Sequence, residues 1–251
     1  MYIACSTLCF SRYPLDQALR SISDLHFQKV DLAIHENGAH LKPSEIAADI
    51  TYHVLMLRAT GASFAAFHVD ITTADPIVFN QQFRAVSRLA RVLTVPVINI
   101  PTAPVGSDIE EEIKRLTLLV RLAEAEGVIL TVETDREKLT ASPDVAVMLC
   151  ERVPGLGLTL DPSHYEMNPR VNEEYEELFP YIRHVRLRDT SPDKLQVRIG
   201  QGRLEYGKII AMLDREDYQR ALAVDIRDKP EPDYPIEPEV RKLKFLLESM
   251  V

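Results

Sequence analysis

Residues 157–164 read GLTLDPSH, and this stretch decides the fold. A short apolar run ends in Asp161, a proline stops it, and His164 follows three residues after the aspartate. A buried parallel strand ends in this way, because its apolar part stays inside the protein and polar groups emerge at its carboxyl end. Sites of α/β folds are built from such strand ends. The stretch therefore predicts a buried strand with site residues at its end.

Three further stretches have the same form, an apolar run with charged residues at or near its end. They are residues 129–135 (ILTVETD), 182–189 (IRHVRLRD) and 221–228 (ALAVDIRD). Parallel strands of one sheet end at the same edge, so we expect the four strands to aim their polar groups at one place. These groups are Glu133, Asp161, Arg186 and Asp225.

Strand and helix patterns alternate along the rest of the chain. Apolar residues that recur with the helical period lie between short apolar runs. Two helices are predicted at residues 46–59 and 172–178, and the Pro-rich stretch 229–238 is predicted to be a loop. Eight strand–helix units without a break in composition predict a closed (β/α)8 TIM barrel, a single domain over residues 1–251.

An open doubly wound sheet is the alternative architecture. Such a fold should carry a Gly-rich turn after its first strand, where a dinucleotide binds. Residues 5–14 (CSTLCFSRYP) cover that turn and contain no glycine. We therefore favour the barrel, and we expect no nucleotide cofactor.

Composition and charge exclude several classes of partner. The chain has 251 residues, 46% apolar and 27% charged, which is ordinary for a soluble globular protein. Its 29 basic and 38 acidic residues give a net charge of −9, and no Lys/Arg-rich run is present. We therefore expect it to bind neither nucleic acid nor an anionic membrane surface. No apolar run approaches the roughly 18 residues of a membrane helix.

The cysteines indicate a reducing compartment. Cys5, Cys9 and Cys150 form an odd number without metal-type spacing, and the N-terminal MYIACSTLCF does not resemble a signal peptide. We expect reduced thiols in a cytoplasmic protein.

The series VETD, LDPSH, IRHVRLRD, GQG and YQRALAVDI resembles the xylose-isomerase-like TIM barrels, the sugar phosphate isomerase/epimerase superfamily. The resemblance covers essentially the whole chain and is strongest from residue 129 onward. It implies an isomerase or epimerase whose substrate is a small sugar or sugar phosphate. It also implies a divalent metal (Mn²⁺, Mg²⁺ or Zn²⁺) held by two glutamates, an aspartate and a histidine at the ends of strands 5 to 8.

The resemblance assigns roles to particular residues of this chain. Glu133 and Asp161 match two metal ligands, and Asp225 stands where the family has its second glutamate. The histidine ligand is replaced by Arg186. His68 and His164 match histidines of the family, and with Arg186 and Arg198 they are the candidate substrate-binding residues. Arg198 is a candidate for a separate reason, because Arg188, Arg198 and Arg203 could clamp a phosphate or carboxylate, although surface arginines are common. Gly200 and Gly202 resemble the family's Gly-x-Gly turn.

The implied chemistry is proton transfer on a carbon next to a carbonyl. A cation stabilises the enediolate that forms, and carboxylates on opposite sides of the substrate remove and return the proton. Glu133 and Asp225 are the expected pair, since strands 5 and 8 approach the pocket from different sides.

Arg186 departs from the family pattern in a way that bears on the metal. Arginine stays protonated and cannot ligate a cation. Its guanidinium could instead supply the positive charge that a metal supplies, and could pair with Asp161 or Glu133.

Three functions therefore remain open. The first is a sugar isomerase or epimerase, with or without metal. The second is a degenerate barrel that binds a sugar or polyol without turnover, and the third is a dehydratase or lyase of the same superfamily.

Overall fold

Eight parallel strands close into a barrel, and the computed structural model describes residues 1–167, 175–228 and 232–251. The barrel strands are β1 (Tyr2–Ser6), β2 (Val30–His35), β3 (Phe64–Asp70), β4 (Val97–Ile100), β5 (Ile129–Glu133), β6 (Gly157–Leu160), β7 (Ile182–Leu187) and β10 (Ala221–Val224). Each strand pairs in parallel with its neighbour in the chain, and β10 closes the barrel against β1. The (β/α)8 barrel predicted from the sequence is confirmed.

Helices connect the strands on the outside of the barrel. They are α1 (Leu15–Asp24), α2 (Pro43–Ala48), α3 (Ile50–Ala59), α4 (Pro76–Val92), α5 (Ile109–Glu124), α6 (Pro143–Arg152), α7 (Ser163–Glu166), α8 (Tyr206–Arg215) and α9 (Ile236–Glu248). Short 3-10 helices cover Thr7–Phe10, Leu139–Ala141 and Glu176–Tyr181. Strand residues such as Phe67 and helix residues such as Phe83 and Leu243 share one apolar core. Among the residues described, no helix combines the length and apolarity that crossing a membrane requires.

The single helix predicted at residues 46–59 is wrong, because the chain breaks at Asp49. Asp49 has φ −148° and ψ 84°, outside the helical region. Its carboxylate accepts the Tyr52 N–H at 2.9 Å and so caps α3. Aspartate favours this local hydrogen bond over continuing a helix.

Two other predictions fall partly outside the described residues. For the helix predicted at 172–178, residues 172–174 lie outside them, and the chain then forms the 3-10 helix Glu176–Tyr181 with Pro180 inside it. For the loop predicted at 229–238, residues 229–231 lie outside them, and α9 already begins at Ile236.

The inside of the barrel changes from small residues to charged ones along the strands. Ala4, Ala221 and Ala223 form a cluster separate from the outer core. Because successive residues of a strand face opposite sides, the inner face of β10 continues from Ala223 to Asp225. On β7 the residue paired with Ala223 is Arg186. Small neighbours thus leave room for long polar side chains near the carboxyl ends of the strands.

A loop after β7 is organised by one carboxylate. The antiparallel hairpin of β8 (Asp189–Ser191) and β9 (Lys194–Val197) was not predicted. Asp189 Oδ2 accepts the N–H groups of Gly200 at 2.7 Å and of Gly202 at 3.0 Å. A Cβ atom on Gly202 would collide with Asp189 Oδ1 and the Thr190 carbonyl. The Gly-x-Gly turn therefore follows from close backbone approach to Asp189.

We predict that Gly202→Ala destabilises the protein by about 1–3 kcal/mol, the usual cost of forcing extra atoms into a packed site. Gly207→Ala in α8 is the matched control, because nothing lies within 4 Å of the added Cβ. There the change should be neutral or stabilising by up to about 1 kcal/mol. Urea unfolding of both variants measures this, and equal effects at the two glycines would contradict the packing explanation.

Candidate active site

The carboxyl ends of the barrel strands form one end of the barrel, which we call the mouth. At its centre lies a buried guanidinium, that of Arg186 on β7. Its Nη1 donates to Glu133 Oε1 at 3.0 Å and to His68 Nδ1 at 2.9 Å. Its Nη2 donates to Asp225 Oδ1 at 2.9 Å and to Ser6 Oγ at 3.1 Å. Arg186 thus connects β7 with side chains from four other barrel strands or strand ends.

The remaining nitrogen of Arg186 faces a third carboxylate. Its Nε lies 3.2 Å from Asp31 Oδ2, an ion pair without good hydrogen-bond geometry. His184 Nε2 lies 3.0 Å from the same oxygen, so His184 is a paired core histidine. Burial alone would raise the pKa of Asp31, but Arg186 and His184 bring it below its ordinary value. Every guanidinium nitrogen of Arg186 therefore already faces a protein acceptor.

A second buried guanidinium, that of Arg188, holds Asp161. Its side chain is 1% exposed, and Nη2 donates to the Asp161 carboxylate and, at 3.2 Å, to Asp225 Oδ2. The sequence allowed Asp161 or Glu133 as the partner of Arg186. In the structure, Glu133 pairs with Arg186, and Asp161 pairs with Arg188. Alternation along β7 could have found Arg188, because it continues the inward series of His184 and Arg186.

Asp225 is enclosed by three guanidiniums. Besides Arg186 and Arg188, Arg227 donates from Nε to Asp225 Oδ2 at 3.3 Å. Burial raises the pKa of Asp225, but Arg186, Arg227 and Arg188 together hold it far below its usual range. The residue has no exposed surface. Asp225 is thus a fully buried, ionised partner of the arginines, and its expected role as a catalytic carboxylate stays a prediction.

Glu133 and His68 are members of this cluster whose side chains keep some exposed surface at the mouth. Their side chains are 8% and 9% exposed, and His68 Nε2 lies 3.1 Å from Glu133 Oε2. Since Nδ1 of His68 faces a guanidinium N–H, the proton of a neutral ring must be on Nε2, which then donates to Glu133. Burial raises the pKa of Glu133, but His68, Arg186 and Arg227 hold it well below its usual range.

His35 extends this pair toward β2. Its Nε2 lies 3.1 Å from His68 Nδ1, and the two rings meet edge to face. Burial, followed by the charges of His68, Arg186 and Arg227, lowers the pKa of His35 from 6.5 to about 2. His35 is therefore neutral at any working pH.

The other two predicted substrate-binding residues lie in different places. His164 is at the rim of the cluster, with Nε2 3.7 Å from Asp161 Oδ2 and Nδ1 accepting the Arg136 N–H at 3.3 Å. Arg198 is exposed, and its guanidinium lies over the Tyr234 ring at 5.4 Å from the ring centroid. His164 therefore lies beside the carboxylates of the cluster, whereas Arg198 packs over the Tyr234 ring.

A comparison with protein families agrees with this architecture. The model of the xylose isomerase-like TIM barrel matches residues 22–246. The chain belongs to the xylose isomerase-like TIM barrel family. No curated protein matches it in sequence.

Several solved structures share the fold at low sequence identity. The D-allulose 3-epimerase from Methylomonas sp. has a TM-score of 0.74 and 14% identity, over 99% of this chain and 97% of its own. A xylose isomerase domain protein from Planctomyces limnophilus has a TM-score of 0.75 and 16% identity, over 100% and 98%. The probable 3-DHS dehydratase of petrobactin synthesis from Bacillus anthracis has a TM-score of 0.72 and 15% identity, over 97% and 98%.

The divalent metal implied by the family does not fit the residues of this chain. The three carboxylates expected as ligands, Glu133, Asp161 and Asp225, are within hydrogen-bond reach of guanidinium groups. With Asp31, four carboxylates face three guanidiniums, so 3 − 4 gives a net charge near −1 for these seven groups. In the described part of the chain no group of three or more His, Cys, Asp or Glu side chains is arranged to hold a metal ion.

We predict that His35 makes the protein less stable as the pH falls below 6.5. In the unfolded chain His35 binds a proton below about pH 6.5, whereas the folded protein excludes it down to a pH of about 2. The unfolded state then carries more protons, and the free energy of unfolding decreases by up to about 1.4 kcal/mol per pH unit. His35→Asn should remove this contribution. Urea unfolding of both proteins from pH 7 to pH 5 measures it, and parallel stability curves would contradict it.

Proposed function

We propose that the protein moves a proton next to the carbonyl of a small sugar-like substrate without a divalent metal. Glu133 is the base, and His68 is the residue that orients it. The observation that carries the proposal is the Glu133–His68 hydrogen bond at the mouth, with the Arg186 guanidinium beneath both side chains. The membership in a family with epimerase and dehydratase structures supports this class of chemistry.

Glu133 has the properties of the base in this scheme. Its lowered pKa keeps it ionised at neutral pH, so it can accept a proton from carbon. The same lowering makes it a weaker base, which a step of this kind tolerates only if the enediolate is stabilised by nearby donors. His68 donates to one carboxylate oxygen and fixes its orientation, while the other oxygen is held by Arg186.

The buried position of Asp225 favours one-base chemistry. Epimerisation by two carboxylates needs one on each side of the carbon, and the expected second carboxylate, Asp225, has no exposed surface. A single base can carry a proton from one carbon to its neighbour through an enediol, as in aldose–ketose isomerisation. We therefore favour isomerisation over two-carboxylate epimerisation. A dehydratase begins with the same proton removal and then loses a hydroxyl group.

A second candidate function is sugar or polyol binding without turnover. The favouring observation is that Arg186 and Arg188 neutralise the carboxylates on which the family's chemistry depends. In that case the mouth would bind a ligand but would exchange no proton with it.

We predict that the protein, treated with EDTA, incorporates deuterium from D₂O at the carbon next to the carbonyl of a ketose or aldose. Glu133→Gln should reduce the exchange rate by at least about 10²-fold, the usual contribution of a positioned base. Glu110→Gln is the matched control, because Glu110 is 61% exposed and pairs with Arg152 on the outer helices. Proton NMR of a panel of sugars measures the exchange.

Each outcome of this experiment separates the candidates. Exchange that is lost with EDTA and restored by Mn²⁺ would contradict the metal-free proposal. Sugar binding without exchange in the natural protein would favour the non-catalytic barrel. Exchange that survives Glu133→Gln would assign the base to another residue.

A further inference from the structure

Arg227, which follows β10, is the third guanidinium of the cluster and is held from two directions. Its backbone N–H donates to Gln196 Oε1 at 2.7 Å, and its carbonyl accepts Gln196 Nε2 at 2.9 Å. Gln196 belongs to β9, so the hairpin fixes the main chain of Arg227. On the other side, the Arg227 Nε donates to Asp225 at 3.3 Å. The side chain is therefore positioned before any ligand arrives.

Exposure separates Arg227 from the other two arginines. The Arg227 side chain is 35% exposed, whereas those of Arg186 and Arg188 are 0% and 1% exposed. Within residues 1–167, 175–228 and 232–251, the two Nη groups of Arg227 have no hydrogen-bond or ion-pair partner. These groups carry four N–H donors in a planar fork. Arg186, by contrast, has every nitrogen engaged.

The charge of Arg227 acts on groups from several sides of the mouth. Burial makes the largest contribution to the pKa of Glu133, of Asp225 and of His35, and Arg227 then lowers the pKa of all three. These residues belong to β5, to the end of β10 and to β2. The guanidinium of Arg227, which lies 3.3 Å from Asp225 Oδ2 through its Nε, therefore also acts electrostatically on the Glu133 carboxylate.

We propose that Arg227 is the anion-binding residue of this mouth, and that the ligand is a hydroxylated carboxylic acid, a sugar acid, whose carboxylate lies on the free Nη fork. The planar fork matches the two oxygens of a carboxylate. A carboxylate brings only one negative charge to a cluster in which the carboxylates already outnumber the guanidiniums. A phosphate carries about −1.5 to −2 and would bring excess charge toward Glu133 and Asp225. The inference rests on the proposed function only for placing the reacting carbon beside Glu133.

Three probes with the same three-carbon skeleton test this inference: glycerate, glycerol and glycerol 3-phosphate. They differ at one end, which is a carboxylate, a hydroxyl or a phosphate. Thermal unfolding is followed at equal probe concentration, with sodium chloride holding the ionic strength constant. A ligand that binds only the folded state raises Tm. We expect glycerate to raise Tm more than either other probe.

Variants connect the shift to Arg227. Arg227→Gln should abolish the difference between glycerate and glycerol, and Arg227→Lys, which keeps the charge but lacks the fork, should retain a smaller difference. Arg152→Gln is the matched control on the outer helices and should retain all of it, because Arg152 pairs with Glu110 away from the mouth.

Several results would overturn the inference. They are the absence of a glycerate-specific shift in the natural protein, a shift that survives Arg227→Gln, and a larger shift with glycerol 3-phosphate that Arg227→Gln removes. The test does not depend on turnover. Glycerate binding through Arg227 without deuterium exchange would support this inference while contradicting the proposed function, and exchange without such binding would do the reverse.

Discussion

The ion-pair network around Arg186 is the interaction on which the rest of the mouth depends. Its guanidinium is fully buried and lies within 3.2 Å of oxygens from Glu133, Asp225 and Asp31. Burying these charges is costly, and it is tolerated because each group has charged or hydrogen-bonding partners. Removing the guanidinium would leave buried carboxylates uncompensated, at a cost on the order of 3–5 kcal/mol. The side chains of three strands would then lose their common partner.

In our proposal, two arginines together take the roles that a bound cation would have alone. A cation both neutralises its carboxylate ligands and presents open positions to the substrate. Arg186 can only neutralise, because its nitrogens are all engaged with the protein. Arg227 has a side chain that is 35% exposed, and in our proposal it offers positive charge and donors to a ligand.

The sequence predicted the barrel and the meeting of four strand ends, because both follow from periodicity. Alternation along a strand places Arg186 and Asp225 on the inner face, and parallel strands end at one edge. Alternation does not specify how deep a side chain lies. For that reason the sequence did not predict that Asp225 is fully enclosed or that Arg188 is buried.

A pattern of residue types also cannot predict which charged side chains pair with each other. The reach and rotamers of the arginine side chains decide that Glu133 bonds to Arg186 and Asp161 to Arg188. Arg198 resembled a residue that could clamp an anion, but it is exposed over Tyr234. That the Nη groups of Arg227 lack a partner among the described residues could not be predicted from the sequence, since it depends on which side chains reach the guanidinium.

Calorimetric titration with Mn²⁺ tests most directly whether Arg186 takes the place of the cation. The natural protein should bind no Mn²⁺ at this site, because the guanidinium pairs with the carboxylates and repels a second cation. Arg186→His restores the ligand type of the family and should bind one Mn²⁺ measurably, whereas Arg183→His, on the same strand but with its side chain away from the cluster, should not. Tight binding of one Mn²⁺ by the natural protein, with no gain in Arg186→His, would contradict the role assigned to Arg186.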